Sequence, residues 1–372
     1  MRDLAIKIKR YRELIGLTQE QLADKAGITR PAYNSIENGK SEPRASNLYK
    51  IAKALGRKMQ DLLEPIPEIA EVRFRCRKCK SKKEMASREK ILSEVKIWLN
   101  NFCRLEEIMG DKKTFNFSLT AKEAADPIKA ASKAREFFKL DAKSPINDMC
   151  GLVESAGIRL YFFDSDLDKL FGLSLIHENK YPAIAVNINK DVNIERRIFT
   201  VAHELGHLLM HKESFNVNES IEIKEQEDAA DLFAGHFLMP DSAFDMKWDE
   251  NRGIHWVDNV LEIKRYFRVS YKTVLRRMLD KRMVDDSRVY KNFAQLIKYK
   301  YGHDLKGHYE PFKLENVDFL EVRLNRLVRE AIEKELISVS RAAEILGISL
   351  ENMLERGRSW DPPDGQDSRN NQ

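Results

Sequence analysis

The sequence predicts a mostly helical protein with one small β-sheet, which is the α+β fold class. Apolar residues recur every three or four positions through most of the first 110 residues and again after residue 240, and this is the period of an amphipathic helix. Between these regions, the alternating, β-branched segments 158–163, 172–176 and 183–188 predict three short strands. A chain of 372 residues is long enough for two or three domains with their own cores.

Five short helices are expected over residues 4–63. Thr18 and Gln21 lie three residues apart and predict a capping box that opens the second helix. Thr29 is the expected N-cap of the third helix, and Ser46 is the expected start of the fourth. Because a tight turn separates the second helix from the third, the region predicts a helix-turn-helix with supporting helices.

This region resembles the XRE helix-turn-helix of phage repressors and Cro. The resemblance rests on LTQEQLA at 17–23, GI at 27–28 and IENGK at 36–40, followed by Pro43. It implies that the partner is double-stranded operator DNA, bound by a homodimer at inverted half-sites. A helix-turn-helix used only for dimerisation is the alternative interpretation.

The same resemblance implies which residues contact DNA. Three side chains on the third helix would face base edges in the major groove, one at the start of the second helix would reach backbone or base, and two more would hold phosphates. In that order, the residues are Arg30, Asn34 and Ser35, then Gln19, then Lys40 and Arg44. Tyr33 is open to two interpretations, packing or a phosphate contact.

A basic segment follows the first domain. Residues 73–90 hold nine Lys and Arg against two Asp and Glu, and they include Cys76 and Cys79. A lone CxxC pair lacks the second pair that structural zinc needs, so a solvated basic strand or turn is the favoured interpretation. Apolar residues at helical spacing from 91 to 105 then predict a connecting helix.

The strongest chemical signal is the run from His203 to His207, which contains Glu204. Residues four apart on a helix share one face, so the two imidazoles can bind one metal ion with Glu204 beside them as a base. A catalytic zinc also needs a third protein ligand and an open position. The best source is the helix predicted over 225–240, which has Glu227 on its first turn. The other candidates are Glu222, Glu225, Asp231, His211 and His236.

This part of the chain, over roughly residues 120–245, resembles the ImmA/IrrE zinc metallopeptidases. The resemblance rests on the HExxH at 203–207 and on FAGHFLMP at 233–240, in which Phe237 stands where leucine is usual. It implies a zincin-like domain in which zinc binds His203, His207 and Glu227, with Glu204 as the catalytic base. Asp231 would hold one of the ligating histidines.

The resemblance further implies a small sheet whose edge strand lines the substrate cleft, so that an extended peptide could pair along it. Tyr161 and Tyr181 are both conceivable as the group that stabilises the oxyanion. The sequence does not choose between them.

The remaining chain is expected to be helical. Residues 269–278 resemble the second helix of a winged-helix unit, and Arg276 and Arg277 there could make a second DNA contact. Residues 340–348 look like half a helix-turn-helix with a structural role. The predicted domains are therefore a helix-turn-helix domain (1–64), a linker with its connecting helix (65–119), a metallopeptidase domain (120–245), a helical, winged-helix-like region (246–358) and a disordered tail (359–372).

Composition limits the class of protein. No run of eighteen apolar residues is present, and four cysteines are too few and too scattered for a disulfide framework, so a cytoplasmic protein without a membrane partner is expected. Residues 1–63 hold 13 Lys and Arg against 7 Asp and Glu, although the net charge of the whole chain is only +5. A basic front favours a nucleic-acid partner for that end of the chain.

Together, these signals predict a DNA-binding transcription regulator that carries a zinc-dependent endopeptidase. By resemblance, its substrate is a regulatory protein, such as a repressor or antitoxin, in a phage, mobile-element, toxin–antitoxin or stress response. The alternative is a non-catalytic repressor or antitoxin whose zinc module senses a signal or binds a partner.

Overall fold

The computed structural model describes residues 2–57, 59–63, 71–74, 82–167, 170–177, 181–211, 223–284, 288–305 and 309–360. Within these residues, the predicted fold class is confirmed, because helices dominate and one four-stranded sheet is present. None of these helices combines the length and the apolar character that crossing a bilayer requires. Cys76, Cys79 and residues 361–372 of the tail lie outside the described residues.

The elements before the central sheet are helical except for one strand. They are α1 (Arg2–Leu14), α2 (Gln19–Ala26), α3 (Arg30–Glu37), α4 (Ala45–Ala54), α5 (Met59–Leu63), β1 (Glu71–Phe74), α6 (Lys82–Met109), α7 (Ala121–Ala124), α8 (Pro127–Phe137) and α9 (Met149–Ser155).

The remaining elements, in chain order, are three strands followed by helices and one 3₁₀ turn. They are β2 (Arg159–Phe163), β3 (Gly172–His177), β4 (Tyr181–Asn187), α10 (Ile194–Met210), α11 (Lys224–Leu238), α12 (Asp241–Glu250), α13 (Trp256–Phe267), α14 (Tyr271–Asp280), α15 (Arg288–Tyr301), a 3₁₀ turn (Asn316–Asp318), α16 (Arg323–Glu333), α17 (Val339–Leu346) and α18 (Leu350–Arg358).

The chain forms two compact units, and both are discontinuous in sequence. The first contains Met1–Glu68, Leu92–Lys112 and Arg323–Gln372, and the second contains Ile69–Ile91 and Lys113–Val322. The five-part division of the sequence stays a prediction. The compact units divide the chain differently, since α6 and the region 246–358 are each shared between them.

The first unit contains the five predicted short helices. Thr18 accepts from the Gln21 backbone, and the Gln21 side chain accepts from the Thr18 N–H, which confirms the predicted capping box. Thr29 is the N-cap of α3, as predicted. α4 begins at Ala45, one residue before the predicted start, and its N-cap residue is Arg44. Apolar side chains from α1 to α5 form one buried core.

The end of the chain packs against these helices. Glu344 on α17 is buried, accepts a hydrogen bond from the Tyr11 hydroxyl at 2.8 Å and pairs with Arg57 at 2.7 Å. Gly347 ends α17 in the left-handed conformation, and Ser349 caps α18. The half helix-turn-helix seen in the sequence therefore has the structural role that was predicted.

The second unit is built on a mixed sheet with the strand order β1-β3-β4-β2. β3 is antiparallel to both β1 and β4, whereas β2 runs parallel to β4. Among the described strands, β1 pairs with the outer side of β3 and forms one edge of the sheet, and β2 forms the other. That an edge strand lines a substrate cleft stays a prediction.

Helices α8 to α15 pack with this sheet around one large apolar core. Residues 121–138 have the spacing of one continuous helix, but the structure has two helices there. Asp126 accepts hydrogen bonds from the backbone N–H groups of Ile128 and Lys129, and Pro127 follows it directly. A capping carboxylate before a proline begins a new helix because proline has no N–H to extend the previous one.

Candidate metal centre

Helix α10 holds the predicted ligand pair in the middle of the second unit. Asn193 caps its start by accepting a hydrogen bond from the Arg196 N–H at 2.8 Å. Ile198, Val201 and Leu205 are buried on the helix, so their packing fixes its position in the core. Side chains that project from this helix are therefore held on a rigid element.

The two imidazoles of α10 converge on one carboxylate of α11. The Nε2 atoms of His203 and His207 lie 2.9 Å apart. Glu227 lies 3.3 Å from the first through Oε2 and 3.2 Å from the second through Oε1. The exposed fraction of each side chain is 3% or less, so the three form a dry, close group.

Neighbouring side chains orient both rings. Asp231 lies 2.7 Å from the Nδ1 atom of His203, and because a carboxylate can only accept, the ring donates from Nδ1. That tautomer leaves a lone pair on Nε2, the atom that faces Glu227. His211, the C-cap residue of α10, lies 2.9 Å from the Nδ1 atom of His207 and holds the second ring.

This donor set fits a divalent metal ion. The candidate ligand atoms of His203, His207 and Glu227 all lie within 4.8 Å of one another. Burial acts to raise the pKa of Glu227, but the two adjacent imidazoles outweigh it and lower the pKa below the usual range. Two imidazoles and one carboxylate are a donor set that can hold a divalent ion, and this group contains no fourth protein ligand among the described residues.

Glu204 lies next to this group and is 1% exposed. The Ser174 hydroxyl on β3 donates a hydrogen bond to its Oε2 atom at 2.7 Å. Gly172, two residues earlier on the same strand, approaches α10 so closely that a Cβ there would lie 2.4 Å from Thr200 Cγ2 and 3.4 Å from Glu204 Cγ. The strand thus positions the carboxylate that was predicted to act as a base.

Sequence reasoning missed Ser174 and the close approach of Gly172. The available signal was a small residue at two alternating positions of a strand that is otherwise apolar. Such residues lie on one face of the strand.

Asp231 and His211 contact the ligand rings, and the remaining candidates among the described residues do not join the group. Glu225 is exposed, and Glu222 lies outside the described residues. His236 is buried and receives a hydrogen bond from Arg277 at 2.8 Å, and burial lowers its pKa to about 4. His236 is therefore a neutral packing residue.

The suggested second DNA contact is wrong for Arg277. This side chain is 2% exposed and also donates to Asp241 at 2.6 Å. Arg276 is 71% exposed and pairs with Asp280 on the next turn of α14. Helices α13 and α14 pack on the second unit, since Leu261, Phe267, Val274 and Met278 belong to its core.

The two tyrosines considered for the oxyanion have different positions. Tyr161 lies on β2, which β4 separates from β3. Tyr181 begins β4 and is 8% exposed, and the Arg159 guanidinium carbon lies 4.9 Å from its ring centroid.

In the first unit, the predicted DNA-contacting residues lie on or near α3. Arg30 is 62% exposed and lies 3.5 Å from Glu20. Asn34 donates a hydrogen bond to the Gln19 side chain at 2.9 Å, which connects α3 to α2. Ser35 is half-buried, whereas Lys40 and Arg44 are exposed.

A buried carboxylate, which sequence reasoning did not identify, holds the Gln19–Asn34 pair in place. Glu37 is 4% exposed and accepts hydrogen bonds from Arg12 at 2.7 and 2.9 Å and from Gln19 at 2.7 Å. Tyr33 also donates to it and is fully buried, so Tyr33 is a packing residue. Glu37 therefore connects α1, α2 and α3 behind the predicted DNA-binding surface.

Comparisons with known proteins support both halves of this description. Residues 8–62 match a helix-turn-helix family, and residues 153–279 match the IrrE N-terminal-like domain family. An uncharacterised HTH-type transcriptional regulator of Methanocaldococcus jannaschii is 46% identical over 56 residues, which is 15% of this chain and 85% of that protein.

Two further relatives extend the comparison. An uncharacterised HTH-type transcriptional regulator of Methanothermobacter thermautotrophicus is 42% identical over 50 residues, which is 13% of this chain and 72% of that protein. Metallopeptidase ImmA of Bacillus subtilis is 29% identical over 113 residues, which is 29% of this chain and 62% of that protein.

Proposed function

Because this chain belongs to the helix-turn-helix regulators and also carries an IrrE N-terminal-like domain, we propose that it is a DNA-binding regulator that cleaves another regulatory protein with zinc. One observation carries the proposal. Two oriented imidazoles and a carboxylate meet in a buried group, and Glu204 lies beside them under a hydrogen bond from Ser174.

The three residues of that group would hold zinc, His203 and His207 through Nε2 and Glu227 through a carboxylate oxygen. A zinc ion in such a site polarises a carbonyl group and lowers the pKa of water from 15.7 to about 7. Asp231 keeps the proton of His203 on Nδ1, so that Nε2 remains a ligand atom.

Glu204 is the proposed general base and acid. Its carboxylate would take a proton from the attacking water and give it to the leaving amide nitrogen. Ser174 holds Oε2 by donating to it, which restricts rotation of the carboxylate. A carboxylate that only supported a structural metal would not need this arrangement.

The helix-turn-helix would dock α3 in the major groove as part of a homodimer. Arg30, Asn34 and Ser35 would contact base edges, Gln19 would orient Asn34, and Lys40 and Arg44 would bind phosphates. The Gln19–Asn34 hydrogen bond supports this assignment because it presents both amides on one surface. A repressor or antitoxin of a phage, mobile element, toxin–antitoxin system or stress response is the proposed class of substrate.

Glu204→Gln tests the catalytic half. The variant should bind zinc and operator DNA like wild type, because it changes neither a ligand nor the first unit, yet it should not cleave a neighbouring regulator. His203→Ala should lose the metal as well. If Glu204→Gln still cleaves the regulator, Glu204 is not the base. If wild type never cleaves it, the protein is a non-catalytic regulator with a zinc module.

DNA binding needs a separate test. Arg30→Ala should relax the sequence preference, whereas Lys40→Ala should weaken binding to all DNA and reduce the salt slope by about 1. Identical effects of the two substitutions would contradict the groove assignment.

A further inference from the structure

Strand β1 occupies the side of β3 that a peptide would use. It pairs antiparallel with β3, while β4 pairs with the opposite side of that strand. Among the strands that the structure describes, β1 is therefore the outer neighbour of β3 and forms the edge of the sheet.

β3 is also the strand nearest the proposed chemistry. Ser174 donates to Glu204, and Gly172 lies against the same helix turn. An extended peptide binds a sheet by adding a strand to an open edge. A substrate paired along the outer side of β3 would therefore run past Glu204, which is where peptide cleavage would take place.

The register places β1 at that position. Arg73 is the pairing partner of Ser174, and Phe74 is the partner of Leu173, so the C-terminal end of β1 lies beside the residues that approach Glu204. The backbone of this segment occupies the track that a substrate needs.

We propose that β1 is an intramolecular strap that closes the peptide-binding edge of the peptidase, so that a protein substrate must displace it. The inference rests on the proposed function. The segment that covers the edge of the sheet is β1 itself, and the segment that would compete with β1 for this edge is an extended part of another protein.

The strap has properties that suit displacement. β1 pairs over only four residues, and so short an edge strand forms few ladder hydrogen bonds. β3 has six residues, so a longer extended peptide could make more of these bonds. In sequence, the strap follows directly on the helix-turn-helix, since only residues 64–70 separate it from α5.

The same segment is a poor candidate for a substrate cut in cis. Cleavage after β1 would not release the DNA-binding helices, because they share a compact unit with Leu92–Lys112 and Arg323–Gln372. Within that unit, Glu344 is bonded to Tyr11 and Arg57.

The test uses the full-length, zinc-loaded chain with unfolded casein as the probe. In an antiparallel ladder, alternate residues direct their N–H groups at the partner strand, so Val72→Pro with Arg73→Pro removes one such donor in either phase. Val72→Ala with Arg73→Ala is the matched control, because it changes both side chains and keeps both N–H groups. Hydrogen exchange of residues 172–176 reports whether β3 is covered.

The proline pair should expose β3 to exchange and raise casein hydrolysis at least ~tenfold, the factor expected when the open edge is populated a tenth of the time or less. The alanine pair should do neither, and Glu204→Gln should abolish the hydrolysis. If the proline pair exposes β3 without faster hydrolysis, the strap is not inhibitory. Failure of the proposed function is distinguishable, because then wild type leaves the regulator intact as well.

Two other outcomes would overturn the inference directly. Unprotected β3 amides in wild type would show that β1 does not pair in solution. Cleavage between residues 70 and 82 in wild type, absent from Glu204→Gln, would show that the segment is a substrate.

Discussion

Gly172→Ala should destabilise the second unit, which carries the proposed peptidase site. Adding Thr200→Ser should restore most of the lost stability. The added Cβ would lie 2.4 Å from Thr200 Cγ2 and 3.0 Å from the Ala185 carbonyl oxygen. Forcing one methyl group into a packed core costs about 1–3 kcal/mol. Serine at 200 removes Cγ2 and keeps the hydroxyl that donates to the Arg196 carbonyl at 2.8 Å.

The magnitude follows from combining the two changes. Thr200→Ser alone should cost about 1 kcal/mol for one buried methyl group. If the methyl–methyl collision causes most of the strain, the double variant should be at least ~1 kcal/mol more stable than the sum of the single effects. The contact with the Ala185 oxygen remains, so recovery should be incomplete.

Native-state hydrogen exchange of the α10 amides measures these free energies within the peptidase unit. Mass spectrometry of peptides from residues 194–210 gives the opening free energy for wild type, both single variants and the double variant. Strictly additive effects would refute the reasoning, because they would mean that Gly172 and Thr200 do not meet. A neutral Gly172→Ala would likewise show that β3 does not approach α10 this closely.

Three other substitutions test separate contacts. Asp231→Ala should weaken zinc binding about 10–100-fold in a chelator competition, since His203 loses the acceptor that orients its ring. Glu37→Ala should cost the helix-turn-helix about 3–5 kcal/mol by urea unfolding, because Arg12 loses its buried partner. Burial raises the pKa of Glu310 to about 7. Its contribution to stability should be present below pH ~4.5 and lost as the pH rises through ~7, and Glu310→Gln should remove this pH dependence.

The first two of these have a control variant in the same surroundings. Asp228→Ala changes an exposed carboxylate near the start of α11 and should leave zinc affinity unchanged. Glu13→Ala removes a half-exposed partner of Arg12, at 3.6 Å, and should cost at most about 1 kcal/mol. Equal effects in either pair would contradict the corresponding assignment, and an unchanged pH profile in Glu310→Gln would contradict the third.

The local features were predictable from sequence because their causes are local. Helical spacing placed His203 and His207 on one face, and the capping box at Thr18 follows from two nearby residues. The start of α4 lies one residue before the predicted one, because several residues near the turn could begin the helix. The break before Pro127 was missed because apolar spacing continued across it.

The contacts missed from sequence are long-range. Ser174 is thirty positions from Glu204, and only the packing of β3 on α10 brings them together. Glu37 was part of the recognised motif, but its bonds to Arg12 and Gln19 depend on how three helices meet. The pairing of β1 with β3 joins a linker to a distant strand, and a four-residue segment has no periodicity that could predict a partner.

The contact of Glu344 with Tyr11 has a consequence for how this protein is made. Glu344 follows Tyr11 by 333 positions, so α1 lacks this partner until translation has passed α17. A message cut short anywhere in the peptidase coding region would yield a DNA-binding domain that lacks this partner. Truncated products should therefore bind the operator weakly and be degraded readily in the cell.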